Sequence, residues 1–309
     1  MIDRRNPYYQ HVSLLISLLP LIEEERCFAL KGGTAINLFF QDLPRLSVDI
    51  DLTYLPVEDR ETSLAGIEAA LERIGERITS VLKGTLIEKA KSVQGNLLKL
   101  MVRRQGVMVK VEVSPVLRGS FLEPVSLDLS PSVEAVFAYT SMQLLDWHEV
   151  YAGKLCAALN RQLPRDLFDV NVLLEQEGIT DELMELFIVY LISGNRPIAE
   201  MLAPRMVSLE ASFNAQFKGT LLKQMSLQDL EKTREQLIET VNRQLTVKHK
   251  RFLLSFKAMR PQWSLLSLEG AEKLPAIRWK LLNLGKMSKQ KHRASLDKLE
   301  AVLNGENNV

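Results

Sequence analysis

Cysteine is scarce in this chain. Cys27 and Cys156 are the only two, each set among apolar residues, too few and too far apart for a zinc site or a disulfide framework. They read as core thiols of a protein kept in a reducing compartment. Histidine is also sparse: His11, His148, His249 and His292 show no ligand spacing, so none is assigned a metal. No Ser-His-Asp or Cys-His arrangement stands out, which excludes the familiar nucleophile-and-base chemistries. Aromatics make up only 6%. No apolar stretch approaches the length of a bilayer span. The run from Val12 to Ile22, preceded by Arg4 and Arg5, is interrupted by Pro20 and followed by Glu23, Glu24 and Glu25. It therefore reads as an amphipathic helix and not as a signal peptide. The expectation is a cytoplasmic protein with no membrane partner.

Net charge is nearly absent too, at +1, but that figure hides an asymmetry. From Arg243 to Lys298 there are 14 Lys and Arg against 3 Asp and Glu, a local charge of +11, so the rest of the chain carries −10. An acidic body with a basic C-terminal segment suits a polyanionic partner such as RNA, and Lys248, Lys250, Arg251 and Lys257 are candidate contacts. What is present is otherwise ordinary: 309 residues, 46% hydrophobic and 25% charged, enough for two domains.

The first 140 residues mix helical and strand patterns. Residues 1–25 read as helix, Cys27 to Leu30 as a short strand, Thr34 to Phe40 as a helix and Leu46 to Tyr54 as a strand. Glu61 to Leu82 has helical periodicity. Asn96 to Arg104 and Val107 to Val116, joined at Gln105-Gly106, read as a β-hairpin. From Gln143 onward the patterns are almost all helical, clearest over Trp147 to Leu159, Arg165 to Glu177, Asp181 to Ser193, Leu227 to Thr246 and Ser288 to Leu303. The expected fold is α+β, with a mixed-sheet domain over 1–140 followed by an α-helical domain over 141–309.

The sequence KGGTAINLFFQDLPRLSVDIDLTY, Lys31 to Tyr54, concentrates the chemistry. In a strand, Val48, Ile50 and Leu52 point one way, and Asp49 and Asp51 point the other, side by side. Adjacent carboxylates repel unless a cation lies between them, and Mg²⁺ takes hard oxygen ligands of this type. In Lys110-Val-Glu-Val113, Glu112 lies opposite the valines and supplies a third carboxylate. Such trios hold metals that assist in-line phosphoryl displacement. Gly32, Gly33 and Thr34 at a helix start would admit a triphosphate to backbone N–H groups, with the Thr34 hydroxyl donating as well.

This pattern resembles the nucleotidyltransferase fold of the DNA polymerase β superfamily. More narrowly, KGGTAINLFF followed by RLSVDIDL resembles the AbiEii-type nucleotidyltransferase toxins of type IV toxin–antitoxin and phage-defence (abortive infection) systems. The resemblance implies a polymerase β-type catalytic domain, with Asp49 and Asp51 as the metal pair and Glu112 as the third ligand. Arg45 and Ser47 match the arginine and serine just before that pair. A phosphate or nucleotide on Ser47 would repel the incoming triphosphate.

A second constellation, YAGKLCAALNRQLPRDLFDVNVLLE, spans Tyr151 to Glu175. Lys154 lies on a helix of small and apolar residues, and Asp166 and Asp169 share one face of the next. A helix cap with a snorkelling lysine would account for this, as would a lysine reaching nucleotide phosphates. The family carries a Lys followed by Arg-Asp-x-x-Asp in its active site, and Lys154, Arg165, Asp166 and Asp169 match it. By the same resemblance Asp166 and Asp169 shape the nucleotide site, the helical domain completes the cleft, and residues Ala276 to Leu303 match the family's C-terminal end. Trp279 there is a core anchor or a stacking platform for a base.

The resemblance implies an NTP co-substrate with Mg²⁺, transfer of NMP to RNA (the tRNA 3′ end foremost) with a block of translation, and an antitoxin encoded nearby. A protein or small-molecule acceptor, or a catalytically silent nucleotide- or RNA-binding module, are the alternative expectations.

Overall fold

The computed structural model describes residues 8–305; the first seven residues of the expected N-terminal helix, Arg4 and Arg5 among them, lie outside. Two compact units divide the chain. One holds the described residues up to Val150 together with Gly219–Gln224, the other Tyr151–Lys218 with the described residues from Met225 onward.

The first unit runs α1 (Tyr9–Glu23), β1 (Phe28–Lys31), α2 (Gly32–Ala35) continuing as a π-helical turn Ile36–Phe40, β2 (Asp49–Tyr54), α3 (Arg60–Val81), β3 (Leu86–Lys91), β4 (Leu97–Arg104), β5 (Val107–Val113), β6 (Val125–Asp128), α4 (Pro131–Glu134) and β7 (Ser141–Leu144). The strands form one mixed sheet in the order β3-β4-β5-β2-β1-β7-β6. β2 pairs parallel with β5 and β1 parallel with β7, and the remaining neighbours are antiparallel. Alternation along β5 sends Val109, Val111 and Val113 to a buried face and Lys110 and Glu112 to the other. Ile50, Leu52, Leu100 and Val102 join the buried face, against which α1 and α3 pack. The β4–β5 hairpin turns on Gln105 and Gly106, both at positive φ, as a two-residue loop matched to strand twist requires.

α3 is capped by the Asp59 carboxylate, which accepts from Thr62 N–H, and buries Leu64, Ile67, Leu71, Ile74 and Ile78 at helical spacing. Gly66 on this helix faces the Tyr54 ring so closely that a Cβ would strike its hydroxyl. Gly66→Ala gains about 1 kcal/mol of helix propensity but overpacks the core by about 1–3 kcal/mol. A net loss is expected, read as a lower urea midpoint; a higher midpoint would show that Tyr54 yields freely.

The sheet continues past residue 140 through β7, so the change to helix falls near Trp147. β3, β6 and β7 do not stand out as strands in the sequence; β3 and β6 are the edges of the sheet. The LIEKAK sequence of β3 is charged and largely exposed, as edge strands often are.

The second unit is helical. The division falls inside α5 (Trp147–Arg161), followed by α6 (Pro164–Gln176), α7 (Asp181–Ser193), α8 (Ile198–Leu202), the short α9 (Glu210–Ser212), α10 (Leu227–Gln244), α11 (Val247–Lys257), α12 (Pro275–Gly285) and α13 (Lys289–Leu303). Phe168, Phe187, Phe217, Phe252 and Phe256 are fully buried in it. The expected helix over Leu227 to Thr246 ends two residues early. Thr246 instead starts α11, accepting from His249 N–H while its own N–H donates to His249 Nδ1. No described helix is long and apolar enough to cross a membrane.

Candidate active site

The end of β1 and the start of α2 bring the Gly-Gly turn beside β2. Gly32 has φ +72°, left-handed space where a side chain is strained, and a Cβ there would come within 3.0 Å of Asp51 Oδ2. At Gly33 a Cβ would lie 2.6 Å from Arg45 Nη2 and 3.3 Å from Ser47 Oγ. The room left by the two glycines is thus taken by an aspartate carboxylate and an arginine guanidinium. Arg45 is buried, its Nη1 donating to Leu46 C=O at 3.0 Å. No side chain caps the first N–H groups of α2.

Thr34 has a different role from the expected one. Its hydroxyl is buried, donates to Asp49 C=O and lies 2.9 Å from Ser47 Oγ. It fastens β2 to the helix instead of presenting a donor to a triphosphate. Ser47 is buried as well, so a modifying enzyme would have to open this turn to reach it.

Register brings the carboxylates together. Asp51 stands opposite Glu112 across the β2–β5 pair, and Asp49 opposite Lys110. On the outer sides Lys31 of β1 faces Asp51, and Lys99 of β4 faces Glu112. One row across four strands therefore reads Lys99, Glu112, Asp51, Lys31. Glu112 is paired with Lys99 at 2.8 Å and with Lys110 at 2.9 Å, and the Lys110 ammonium is 3.9 Å from Asp49 Oδ2. Burial works to raise the Glu112 carboxyl, yet the two lysines hold it below the usual carboxylate range. Burial works to lower Lys110, yet Glu112, Asp49 and Asp51 hold it above its ordinary value. Lys31 goes the other way: burial pushes it down, against the pull of Asp51, Glu112 and Glu149.

Three carboxylates at matched positions supply the hard oxygens that a divalent cation such as Mg²⁺ prefers. An ammonium lying between Asp49 and Glu112 marks where they demand positive charge. The donor set fits such an ion. As the side chains stand, no three acidic, His or Cys groups converge on one point among the described residues, and Glu112 is turned to its lysines.

The second unit holds a separate cluster. Lys154 of α5 is buried, its Nζ 3.0 Å from Asp166 Oδ1 and 2.8 Å from Asp169 Oδ2, both on α6 and each only 1% exposed. Arg161 Nη2 binds the other Asp166 oxygen at 2.9 Å. Asp166 lies in the first turn of α6, where the helix dipole favours an anion. Lys154 neither snorkels to solvent nor stands alone; it is the counter-ion of two buried carboxylates. Burial works to raise Asp166, and Lys154 and Arg161 outweigh it, leaving the carboxyl below its ordinary value. Across the acid range the unfolded chain therefore binds more protons than the folded one. Stability from Asp166 is full above the unfolded carboxyl value, about pH 4, and is lost as pH falls through the lower folded value. Urea unfolding at neutral pH and below about pH 4 should find wild type losing stability in acid; Asp166→Asn should lose less, the remainder coming from other lowered carboxyls such as Glu25 and Glu185, and an equal loss would contradict the assignment.

Several expected contacts are placed otherwise. Arg165 is exposed, and Arg161, not singled out in the sequence, supplies the guanidinium on Asp166. Lys257 is only 8% exposed, at the end of a helix whose Phe252, Leu253 and Phe256 are buried, and burial lowers its ammonium. It cannot belong to an open basic surface. Lys250 donates to Leu303 C=O at 2.7 Å, whereas Lys248 and Arg251 are exposed. Trp279 is 40% exposed, with the Lys286 ammonium 5.8 Å from its ring centre, so it is no core anchor. Lys31, Lys99 and Lys110 were also passed over, because charges on a half-buried sheet face carry no motif of their own.

The fold is α+β, with a mixed seven-stranded sheet carrying paired aspartates beside a Gly-Gly turn. The chain resembles the solved structure of MenT4, a nucleotidyltransferase toxin from Mycobacterium tuberculosis H37Rv, with a TM-score of 0.58 at 17% identity over 96% of this chain and 95% of that one. No curated protein sequence is a significant match. The family profile described as the nucleotidyl transferase AbiEii toxin of type IV toxin–antitoxin systems matches residues 13–282. The chain belongs to that AbiEii nucleotidyltransferase toxin family, whose members are toxins of systems that pair a toxin with an antitoxin.

Proposed function

We propose that this protein transfers a nucleoside monophosphate from an NTP to the 3′ end of tRNA, releasing pyrophosphate and stopping translation in the cytoplasm, until an antitoxin encoded nearby restrains it. The observation that carries the reading is the register of Asp49, Asp51 and Glu112 on one face of β2 and β5, beside the Gly32-Gly33 turn. Mg²⁺, held by these three carboxylates, would activate the acceptor hydroxyl and neutralise charge on the triphosphate. Arg45, lying over Gly33, and the uncapped N–H groups of α2 are assigned to the phosphate oxygens. Thr34 and Ser47 hold the turn against β2. Lys154, oriented by Asp166 and Asp169, is assigned to charge that builds on the phosphates in the transition state.

RNA as acceptor is supported by the basic C-terminal segment, now narrowed to its exposed residues. Reversing Lys248 and Arg251 to Glu should weaken tRNA retention and flatten its salt dependence. Unchanged retention would remove this surface from the proposal. For the acceptor itself, tRNA pre-incubated with protein and NTPs should no longer support cell-free translation once the protein is removed, and fresh tRNA should rescue it. Pre-incubated tRNA that still supports translation would remove tRNA as the acceptor and move the proposal to a protein of the translation machinery.

A further inference from the structure

Three lysines share the sheet face of the carboxylate trio. Lys31, Lys99 and Lys110 share one face of β1, β4 and β5 with Asp49, Asp51 and Glu112, so the formal charges of these six cancel. Both Glu112 oxygens are engaged, Oε1 by Lys99 and Oε2 by Lys110, and Lys110 also reaches toward Asp49. Glu112 cannot turn to an ion without leaving these lysines. Carboxylates already paired with ammoniums have little attraction for a bare divalent cation, because each ammonium must first be displaced. A cation arriving with a triphosphate is different. The complex is net negative, so the carboxylates can take the cation while the freed ammoniums take phosphate oxygens, and no charge is left unpaired.

We propose that Lys99 and Lys110 are positioning residues that act as the site's built-in counter-ions: they hold Glu112 in a metal-free rest position and make divalent-cation binding depend on nucleotide. The inference rests on the metal role assigned above to Asp49, Asp51 and Glu112. Lys99 and Lys110 side chains are 42% and 29% exposed, so replacing them leaves the buried face of the sheet intact. Lys110 has the larger share, since it contacts carboxylates on both strands.

The test is a titration of Mn²⁺, followed by the electron paramagnetic resonance signal of the free ion, with and without a non-hydrolysable NTP analogue. Wild type should bind Mn²⁺ weakly alone and much more tightly with the analogue. Lys99→Met with Lys110→Met should bind bare Mn²⁺ at least about tenfold more tightly and lose most of the enhancement by nucleotide. Lys99→Arg with Lys110→Arg, which keeps both charges, should behave as wild type. A Met double variant that binds bare Mn²⁺ no better than wild type overturns the inference. Asp49→Ala with Asp51→Ala separates the two levels. If that variant loses analogue-assisted Mn²⁺ binding while the Met variant gains nothing, only the lysine role fails. If it binds Mn²⁺ as wild type does, the carboxylate site itself fails, and the lysine role with it.

Discussion

Lys154→Met lowers the stability of the helical unit by about 3–5 kcal/mol. The methionine fills much of the lysine's volume, but it takes from Asp166 and Asp169, each 1% exposed, the ammonium they share. Two buried carboxylates without their common counter-ion repel, and burial together with Asp169 raises the folded-state Asp166 carboxyl past its unfolded value. That reverses the wild-type pH trend. The deficit is full above the raised folded value, shrinks as pH falls through it and the folded state takes up protons, and is gone below the unfolded value. Urea unfolding at pH 7 and pH 4.5 reads both effects, and a deficit that is small or independent of pH would contradict the pairing. Adding Asp166→Asn and Asp169→Asn to Lys154→Met should recover much of the stability, since an uncharged cluster has no missing partner. Transfer activity should stay lost in that triple variant if Lys154 has the catalytic role assigned here. Recovery of activity along with stability would make Lys154 purely structural.

Asp49→Ala with Asp51→Ala abolishes nucleotide transfer, by at least about a thousandfold, with the fold retained. The two side chains lie on the half-exposed face of β2, while Ile50 and Leu52 on the opposite face are fully buried and untouched. The expected signature is an unchanged far-UV circular dichroism spectrum with no measurable turnover. Wild-type turnover in the double variant would mean that the chemistry is elsewhere. Turnover reduced only a few-fold would demote the pair from metal ligands to substrate contacts.

Much of this site was legible because its residues are local in sequence and break a rule. Aspartates in an apolar strand, glycines between a strand and a helix, and a lysine in an apolar helix each stand out against their surroundings. The paired helices α5 and α6 were visible for the same reason. What stayed hidden depends on register or on three-dimensional neighbours. Periodicity puts Glu112 on the polar face of β5, but only strand order puts it opposite Asp51 and between Lys99 and Lys110. The sequence suggests that Gly32 and Gly33 make space, yet not that Asp51 and Arg45 already fill it. Lys257 counts as positive charge in any sum over the segment, and only the packing of α11 reveals that its ammonium is withdrawn from the surface. Arg161 was overlooked for Arg165 because the family motif sits on Arg165, while the turn between α5 and α6 brings Arg161 to the carboxylate.

The most direct test of the central claim is to incubate the protein with Mg²⁺, total tRNA and each α-labelled NTP in turn, beside the Asp49→Ala, Asp51→Ala variant. Label should move onto tRNA with wild type only, and the NTP that supports it identifies the nucleotide. If wild type leaves tRNA unlabelled while binding NTP equally well with and without Mg²⁺, the carboxylate trio is not a metal-dependent transfer site and the account is wrong.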